Sequence, residues 1–190
     1  MASSLVVAAL GAVMAPTAHA ATFDHALGLS YVTGVGDVGD FYDDEASLDV
    51  TTWPVGLTYR FVVNLDIGVR VDLGVGPIVL MLGDSDYWDV PLQATVGYSL
   101  FPHHTFRPYL RGGVSYHVMD GDLVDSKAGA GLLGAVGVEI GRRGRGSFFA
   151  EVSLDTAEAT FRHENPSPGV NSRAEDIKVS DVAVTVGFTF

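Results

Sequence analysis

From Ala26 onward apolar and polar residues alternate with a period of two, the repeat of a strand with one apolar face and not the 3.6-residue repeat of a helix. The clearest run is Leu65 to Val75. There Leu65, Ile67, Val69, Val71, Leu73 and Val75 share one face, and Asp66, Gly68, Arg70, Asp72 and Gly74 share the other. Two strands precede it. The first, about His25 to Gly34, sets Leu27, Leu29 and Tyr31 against Gly28 and Ser30. The second, about Leu48 to Arg60, sets Trp53, Val55, Leu57 and Tyr59 against Pro54, Gly56, Thr58 and Arg60. The fourth, about Trp88 to Leu100, opposes Val90, Leu92, Ala94, Val96 and Tyr98 to Gln93, Thr95, Gly97 and Ser99. The fifth opposes Leu110, Val114, Tyr116 and Val118 to Tyr109, Arg111, Gly113, Ser115 and His117. Gly129 to Ile140 is rich in Gly and Ala, but Val136, Val138 and Ile140 still alternate with Ala135, Gly137 and Glu139. Phe148, Ala150, Val152 and Leu154 then face away from Glu151, Ser153 and Asp155. In the last strand Val182, Val184, Val186, Phe188 and Phe190 alternate with Ala183, Thr185, Gly187 and Thr189.

Eight such strands fit a closed antiparallel barrel, and the joins say which kind. Those after the second, fourth and sixth strands are short (Phe61 to Asn64, Phe101 to Thr105, Gly141 to Gly146). Those after the first, third, fifth and seventh are longer, polar and acidic (Val35 to Ser47, Leu80 to Tyr87, Asp120 to Lys127, Thr156 to Asp176). Short turns at one end and long loops at the other are the pattern of outer-membrane barrels. Aromatic residues gather near the strand ends, with Tyr31, Trp53, Trp88 and Tyr116 toward the long loops and Tyr59, Tyr98 and Phe148 toward the short turns, as two interfacial girdles would require. A soluble lipocalin-like barrel would also alternate. However, the polar face here carries Arg70, Arg111, Asp66, Asp72, Glu139 and Glu151, a poor lining for an apolar ligand and a natural filling for a narrow barrel. An Arg or Lys facing lipid at mid-depth costs about 2 to 4 kcal/mol, so these charges belong inside. The predicted fold is all-β: an eight-stranded antiparallel up-and-down transmembrane β-barrel.

Composition agrees with this. Apolar residues make up 47% and the mean hydropathy is +0.27, yet no stretch reaches the roughly 18 to 20 apolar residues of a membrane helix. There are no cysteines, which excludes disulfides, thiolate metal sites and Cys nucleophiles. Leu5 to Val13 is an apolar core of export-signal length, and Ala18-His19-Ala20 offers a cleavage site, although no Lys or Arg precedes the core. The predicted organisation is a signal peptide at 1–20 and one barrel at 21–190. An Ala-rich helix of a cytosolic domain is the alternative for the leader.

Three segments carry a resemblance. Pro108-Tyr109-Leu110-Arg111-Gly112-Gly113-Val114-Ser115-Tyr116, Phe148-Phe149-Ala150-Glu151-Val152 and the terminal Val182 to Phe190 resemble the small outer-membrane β-barrel family of OmpA-type barrels and OmpX. The resemblance spans the mature chain and implies an integral outer-membrane protein contacting the lipid bilayer and lipopolysaccharide. The terminal strand, with Phe188 and Phe190, resembles the signal read by the barrel assembly machinery, which implies that complex and periplasmic chaperones as biogenesis partners and a monomer as the product.

The net charge of −12 and pI near 4.6 exclude nucleic acid as a partner, since no basic patch could neutralise phosphates. The acids cluster on the predicted loops, with Asp37, Asp40, Asp43, Asp44 and Glu45 on the first and Asp84, Asp86, Asp89, Asp120, Asp122 and Asp125 on the next two; Arg142, Arg143 and Arg145 sit on a short turn. Such loops are either simply solvated or bind divalent cations bridging lipopolysaccharide. Inside, Arg111, Glu139 and Glu151 fall at similar depths, as do Arg60 and Asp66. Together with Arg70 and Asp72 they form a lumen charge network that either plugs the barrel or lines a constriction. His163-Glu164-Asn165 superficially resembles the surroundings of a lipid A deacylase histidine, but Asn165 stands where a Ser is needed, and His103-His104 reads as a polar turn. No catalytic, cofactor-binding or metal residue is assigned. The functional expectation is a plugged barrel with an envelope or surface-interaction role through its acidic loops; the alternatives are a narrow porin-like channel, as OmpW-type relatives suggest, and a lipid A-modifying enzyme.

Overall fold

The computed structural model describes residues 21–33, 38, 50–53, 55–83, 87–121, 124–125, 128–141, 146–162 and 174–190. The leader, most of the acidic loop residues, Arg142, Arg143, Arg145 and His163 lie outside them. The strands are β1 (Ala21–Thr33), β2 (Val50–Trp53), β3 (Val55–Leu65), β4 (Val69–Val75), β5 (Val79–Gly83), β6 (Tyr87–Ser99), β7 (Phe106–Gly121), β8 (Ala128–Gly141), β9 (Ser147–Arg162) and β10 (Ala174–Thr189). All pairings are antiparallel, and the circuit β1-β3-β4-β6-β7-β8-β9-β10 returns to β1, closing an eight-stranded barrel. β2 and β5 pair with each other and extend the β3 and β4 staves toward the loop end. At the other end His25 of β1 and Phe190 exchange two backbone hydrogen bonds of 2.8 and 2.9 Å.

Between β4 and β5 the wall is interrupted at Gly76-Pro77-Ile78. Val75 pairs with Leu92 and Val79 with Asp89, so four steps on one side oppose three on the other, the count of a β-bulge. Pro77 has no N–H to donate and is confined to such a break. The backbone stays anchored, because Gly76 N–H donates to Pro91 C=O (2.7 Å) and Ile78 N–H to Leu57 C=O (3.4 Å). The extra residue flips the phase: Leu73 is exposed, whereas after the bulge Val79 is buried and Leu80 exposed.

The wall is apolar outside and polar inside. Leu27, Leu57, Val96, Leu110, Leu132, Val136, Val152 and Val186 are exposed, while Arg60, Arg70, Arg107, Arg111, Glu139 and Glu151 are buried. Toward the loop end this relation inverts. Along β9 the outward residues change from Val152 and Leu154 to Glu158, and the inward ones from Glu151, Ser153 and Asp155 to Ala157, Ala159 and Phe161. β10 does the same, with Val184 and Val182 outward and then Lys178, and Ile177 and Val179 inward. Val38, Tyr87, Met119, Ala157, Ala159, Phe161, Ile177 and Val179 consequently form an apolar cluster filling the loop end of the lumen.

Three sequence expectations need correction. The join placed at Phe61 to Asn64 lies within β3; the turn is Asp66 to Gly68, closed by Gly68 N–H on Leu65 C=O (2.9 Å), and strand three starts at Val69 instead of Leu65. Gly68 has φ 91°, which only glycine adopts readily, and the alternation runs straight through this turn and conceals it. Leu80 to Tyr87 is mostly strand, with β5 reaching Gly83. In the join expected at Thr156 to Asp176, Thr156 to Arg162 belong to β9 and Ala174 to Asp176 to β10, because the polar outward residues there belong to the inverted part of these strands; 163–173 lie outside the described residues.

Glycine matters where strands approach closely. A Cβ on Gly113 would overlap the Ala94 carbonyl oxygen, whereas one on Gly134 would meet nothing within 4 Å. Gly113→Val should therefore abolish the heat-modifiable folded band on a gel, and Gly134→Ala should leave it intact.

Candidate functional site

The lumen is the only place where the described chain gathers chemistry, and it is layered. Nearest the turn end, Arg70 Nε donates to both carboxylate oxygens of Asp72 (2.9 Å each) and its guanidinium approaches Glu139 at 3.6 Å. Arg107 pairs with Glu139 at 3.0 Å and donates to the carbonyls of His104 (2.9 Å) and Gly141 (2.7 Å) and to Ser147 Oγ (3.0 Å). One level up, Glu151 is a hub. It accepts from Arg60 (2.8 Å), from Arg111 Nε and Nη2 (2.9 and 2.7 Å) and from the Tyr109 hydroxyl (2.9 Å). Asp72 connects the two levels through Arg111 at 4.0 Å and Thr95 at 3.4 Å. Arg70 lies over the Tyr109 ring, 4.2 Å from its centroid, and Arg60 over Phe149 at 4.9 Å. Every charged group here is at most 4% exposed.

The hub reaches across the barrel: Arg60 belongs to β3 and Glu151 to β9, with β1 and β10 between them in the circuit. Burial makes these bonds strong and their loss costly, because a guanidinium left without its carboxylate has no water to replace it.

A third level lies above. Asp155 accepts from Ser115 and from Gln93 (3.2 Å) and faces His117 Nε2 at 3.4 Å, while His117 Nδ1 lies 2.7 Å from Asp89 Oδ2. Asp181 is the direct cross-strand partner of Asp155.

The model of the outer membrane protein beta-barrel domain family matches residues 5–190. The chain belongs to this family. Among solved structures it is similar to the outer membrane protein OprG from Pseudomonas aeruginosa (17% identity, 90% of this chain and 95% of that one, TM-score 0.63). It is also similar to the outer membrane protein AlkL, solved in lipid bilayers (14%, 93% and 93%, 0.55), and to Neisserial surface protein A (12%, 90% and 97%, 0.53). At these identities the likeness shows the fold alone. No curated protein sequence matches the chain.

As an outer-membrane barrel it contacts the bilayer with its apolar wall, its short turns are the periplasmic end and its longer connections the extracellular end. Tyr31, Trp88 and Tyr116 are exposed on that wall, and so are Tyr59, Tyr98 and Phe148; the Trp53 side chain lies outside the described residues. At the closing seam His25, which sequence reading passed over, bonds the Tyr59 hydroxyl (2.7 Å) and stacks on Phe190 with ring centroids 5.8 Å apart. Phe188 stands 6.4 Å from Phe190 and 5.2 Å from Phe148.

Of the expected lumen residues, Arg60, Arg70, Asp72, Arg111, Glu139 and Glu151 stand together inside the outer-membrane barrel. Asp66 does not join them. It lies half-buried in the turn after β3 and lines a cavity of about 490 Å³ at the periplasmic mouth with Thr22, His103, His104 and Arg107. The expected levels also change, since Arg60 pairs with Glu151 across the lumen, and Glu139 pairs with Arg70 and Arg107, one level below Arg111. Asp89, expected on an acidic loop, is 1% exposed and bonds His117 inside the barrel. Arg107 was missed because the polar face of strand five was followed only from Tyr109; extending that period-two face by one step reaches it.

Glu151→Gln leaves Arg60 and Arg111 buried without their shared carboxylate. It should destabilise the refolded barrel by about 3–5 kcal/mol in urea titrations, whereas Glu158→Gln, on the exposed wall, should stay within about 0.5 kcal/mol of wild type.

Proposed function

We propose that this outer-membrane barrel is a plugged, monomeric barrel that supports the cell envelope and presents its acidic extracellular loops for surface interaction. The observation that carries this reading is the Glu151 hub, whose bonds to Arg60, Arg111 and Tyr109 cross the lumen with every partner buried. Eight strands leave an interior only wide enough for side chains to fill. The apolar cluster of Tyr87, Met119, Phe161 and Val179 supports a second seal at the extracellular end. In this reading the 1–20 leader is removed on export, Phe188 and Phe190 belong to the signal read by the barrel assembly machinery, periplasmic chaperones escort the chain, and the residues binding lipopolysaccharide or a surface partner are loop acids. No residue is given a catalytic role.

The alternative is a narrow conduit for ions or small solutes. Its support is the run of polar side chains from Arg70 through Glu151 to Asp89, which could serve as a charged filter if its bonds exchanged with permeating ions.

Planar-bilayer recording on the refolded mature protein decides between them, with a cold-versus-boiled gel shift as proof of insertion. The plugged barrel should give no discrete current steps, either from wild type or from Glu151→Ala, in which the apolar seal at the extracellular end is intact. Reproducible steps from the wild-type protein would make transport the function.

A further inference from the structure

A cavity of about 690 Å³ lies on the outer wall near its extracellular edge, framed by β7, β8, β9 and β10. On its membrane side are Val114 and Leu132, direct cross-strand partners that are both more than half exposed. On its water side are Glu158 and Lys178. The hollow between them exists because Ala130 and Gly131 of β8 carry almost no side chain. The cavity therefore straddles the height at which the wall changes from Leu154 and Val182 to Glu158 and Lys178. Ala130 is also the cross-strand partner of Tyr116, an exposed ring of the extracellular girdle, which fixes the same height as the membrane–water boundary.

The two charges at the rim are left open. Lys178 and Glu158 are directly opposed across β9 and β10, where opposite charges ordinarily pair. Among the described residues, however, they form no ion pair with each other or with any third group. Their neighbours are engaged elsewhere: Asp176 accepts from the Thr160 hydroxyl at 2.8 Å, and the Thr156 hydroxyl donates to the Leu132 carbonyl at 3.4 Å. Arg60, Arg70, Arg107 and Arg111 all lie inside the lumen, so Lys178 is the one Lys or Arg on the outer wall whose side chain is described. In a chain of net charge −12, an anion at the described wall finds its counter-charge here. An ammonium on a long stem suits phosphate as a point charge. The carboxylate beside it accepts from hydroxyl or amide N–H groups, and the aliphatic side of the cavity is continuous with the bilayer-facing wall.

We propose that this cavity binds the lipid A part of an outer-leaflet lipopolysaccharide, with a phosphate on Lys178, a sugar hydroxyl or amide donor on Glu158, and an acyl chain lying over Ala130 against Val114 and Leu132. Phosphate, sugar donors and acyl chain stacked in that order from water to membrane are the chemistry of a phosphorylated glycolipid. Height selects the source, because phospholipid headgroups of the periplasmic leaflet lie at the other end of the barrel. The proposal rests on the reading that the extracellular face of the barrel meets lipopolysaccharide. It adds to the loop acids a contact of opposite charge, one that needs no divalent cation as a bridge.

Native mass spectrometry of the refolded mature barrel, mixed with lipid A in detergent and a chelator of divalent cations, tests this. Wild type should retain about one lipid A per barrel. Lys178→Gln should lower retention at least about tenfold, the loss of one charge-assisted contact, while Lys178→Arg keeps the charge and should stay near wild type. Ala130→Phe, which fills the cavity and leaves Lys178 in place, should also abolish retention. Dephosphorylated lipid A should not be retained, and phosphatidylethanolamine should not displace lipid A. A gel shift verifies that each variant has folded. Folded wild type without lipid A in chelator, Lys178→Gln retaining as much as wild type, or displacement by phosphatidylethanolamine overturns the site. A further arm with Mg²⁺ restored separates the two readings. Retention that needs Mg²⁺ and is equal in Lys178→Gln removes the wall site and keeps the loop acids; no retention under either condition removes both.

Discussion

A backbone N–H or C=O exposed to hydrocarbon has no water to bond, so a sheet can cross a membrane only if its first and last strands pair. In this chain that pairing is β1 with β10, from Ala26–Thr189 to Thr33–Val182. Closure on eight strands leaves a lumen of side-chain width. Every polar side chain that cannot face lipid is pressed into that lumen, and there it must find a partner. The arginine–carboxylate layers are the consequence of the closed wall, and the Glu151 hub is the point where the non-adjacent strands β3, β7 and β9 are tied together across it.

The same constraint explains why polarity inverts along β9 and β10. Within the membrane the outward side of a strand is lipid and the inward side is a charged interior. Past Leu154 and Val182 the outward side is water, and Glu158 and Lys178 are at home there. The inward residues at that height are Ala157, Ala159, Phe161, Ile177 and Val179, which bury one another as the core of a soluble β-protein does. One pair of strands thus serves two solvents with its phase unchanged and its chemistry exchanged between faces.

Much of this was legible in the alternation. A period of two with charge on one face and aliphatics on the other, joined by short turns alternating with long loops, pointed to a membrane wall, and the inward placement of Arg60, Arg70, Asp72, Arg111, Glu139 and Glu151 followed from the cost of turning them to lipid. The pattern was silent where its phase carried no contrast. It ran through the Asp66–Gly68 turn because Leu65 and Val69 lie on the same face on either side of it. At the extracellular end it misled, because polar outward residues such as Thr156 and Glu158 look like loop when the strand is expected to be apolar outside. Pairing was the least legible, since strand tilt decides which charges share a level; Arg60 therefore meets Glu151 and not Asp66, and Asp89 faces His117 inside the barrel.

In the proposed function the lumen is sealed by its own charged side chains. The chain has no cysteine, so a single one at an inward position reports directly on water. Ser153 lies on β9 between Glu151 and Asp155 and is 6% exposed. In the membrane-inserted Ser153→Cys variant, a charged, water-soluble thiol reagent should fail to react until the barrel is unfolded. Rapid labelling in the folded, inserted state would mean a water-filled lumen and would contradict the account.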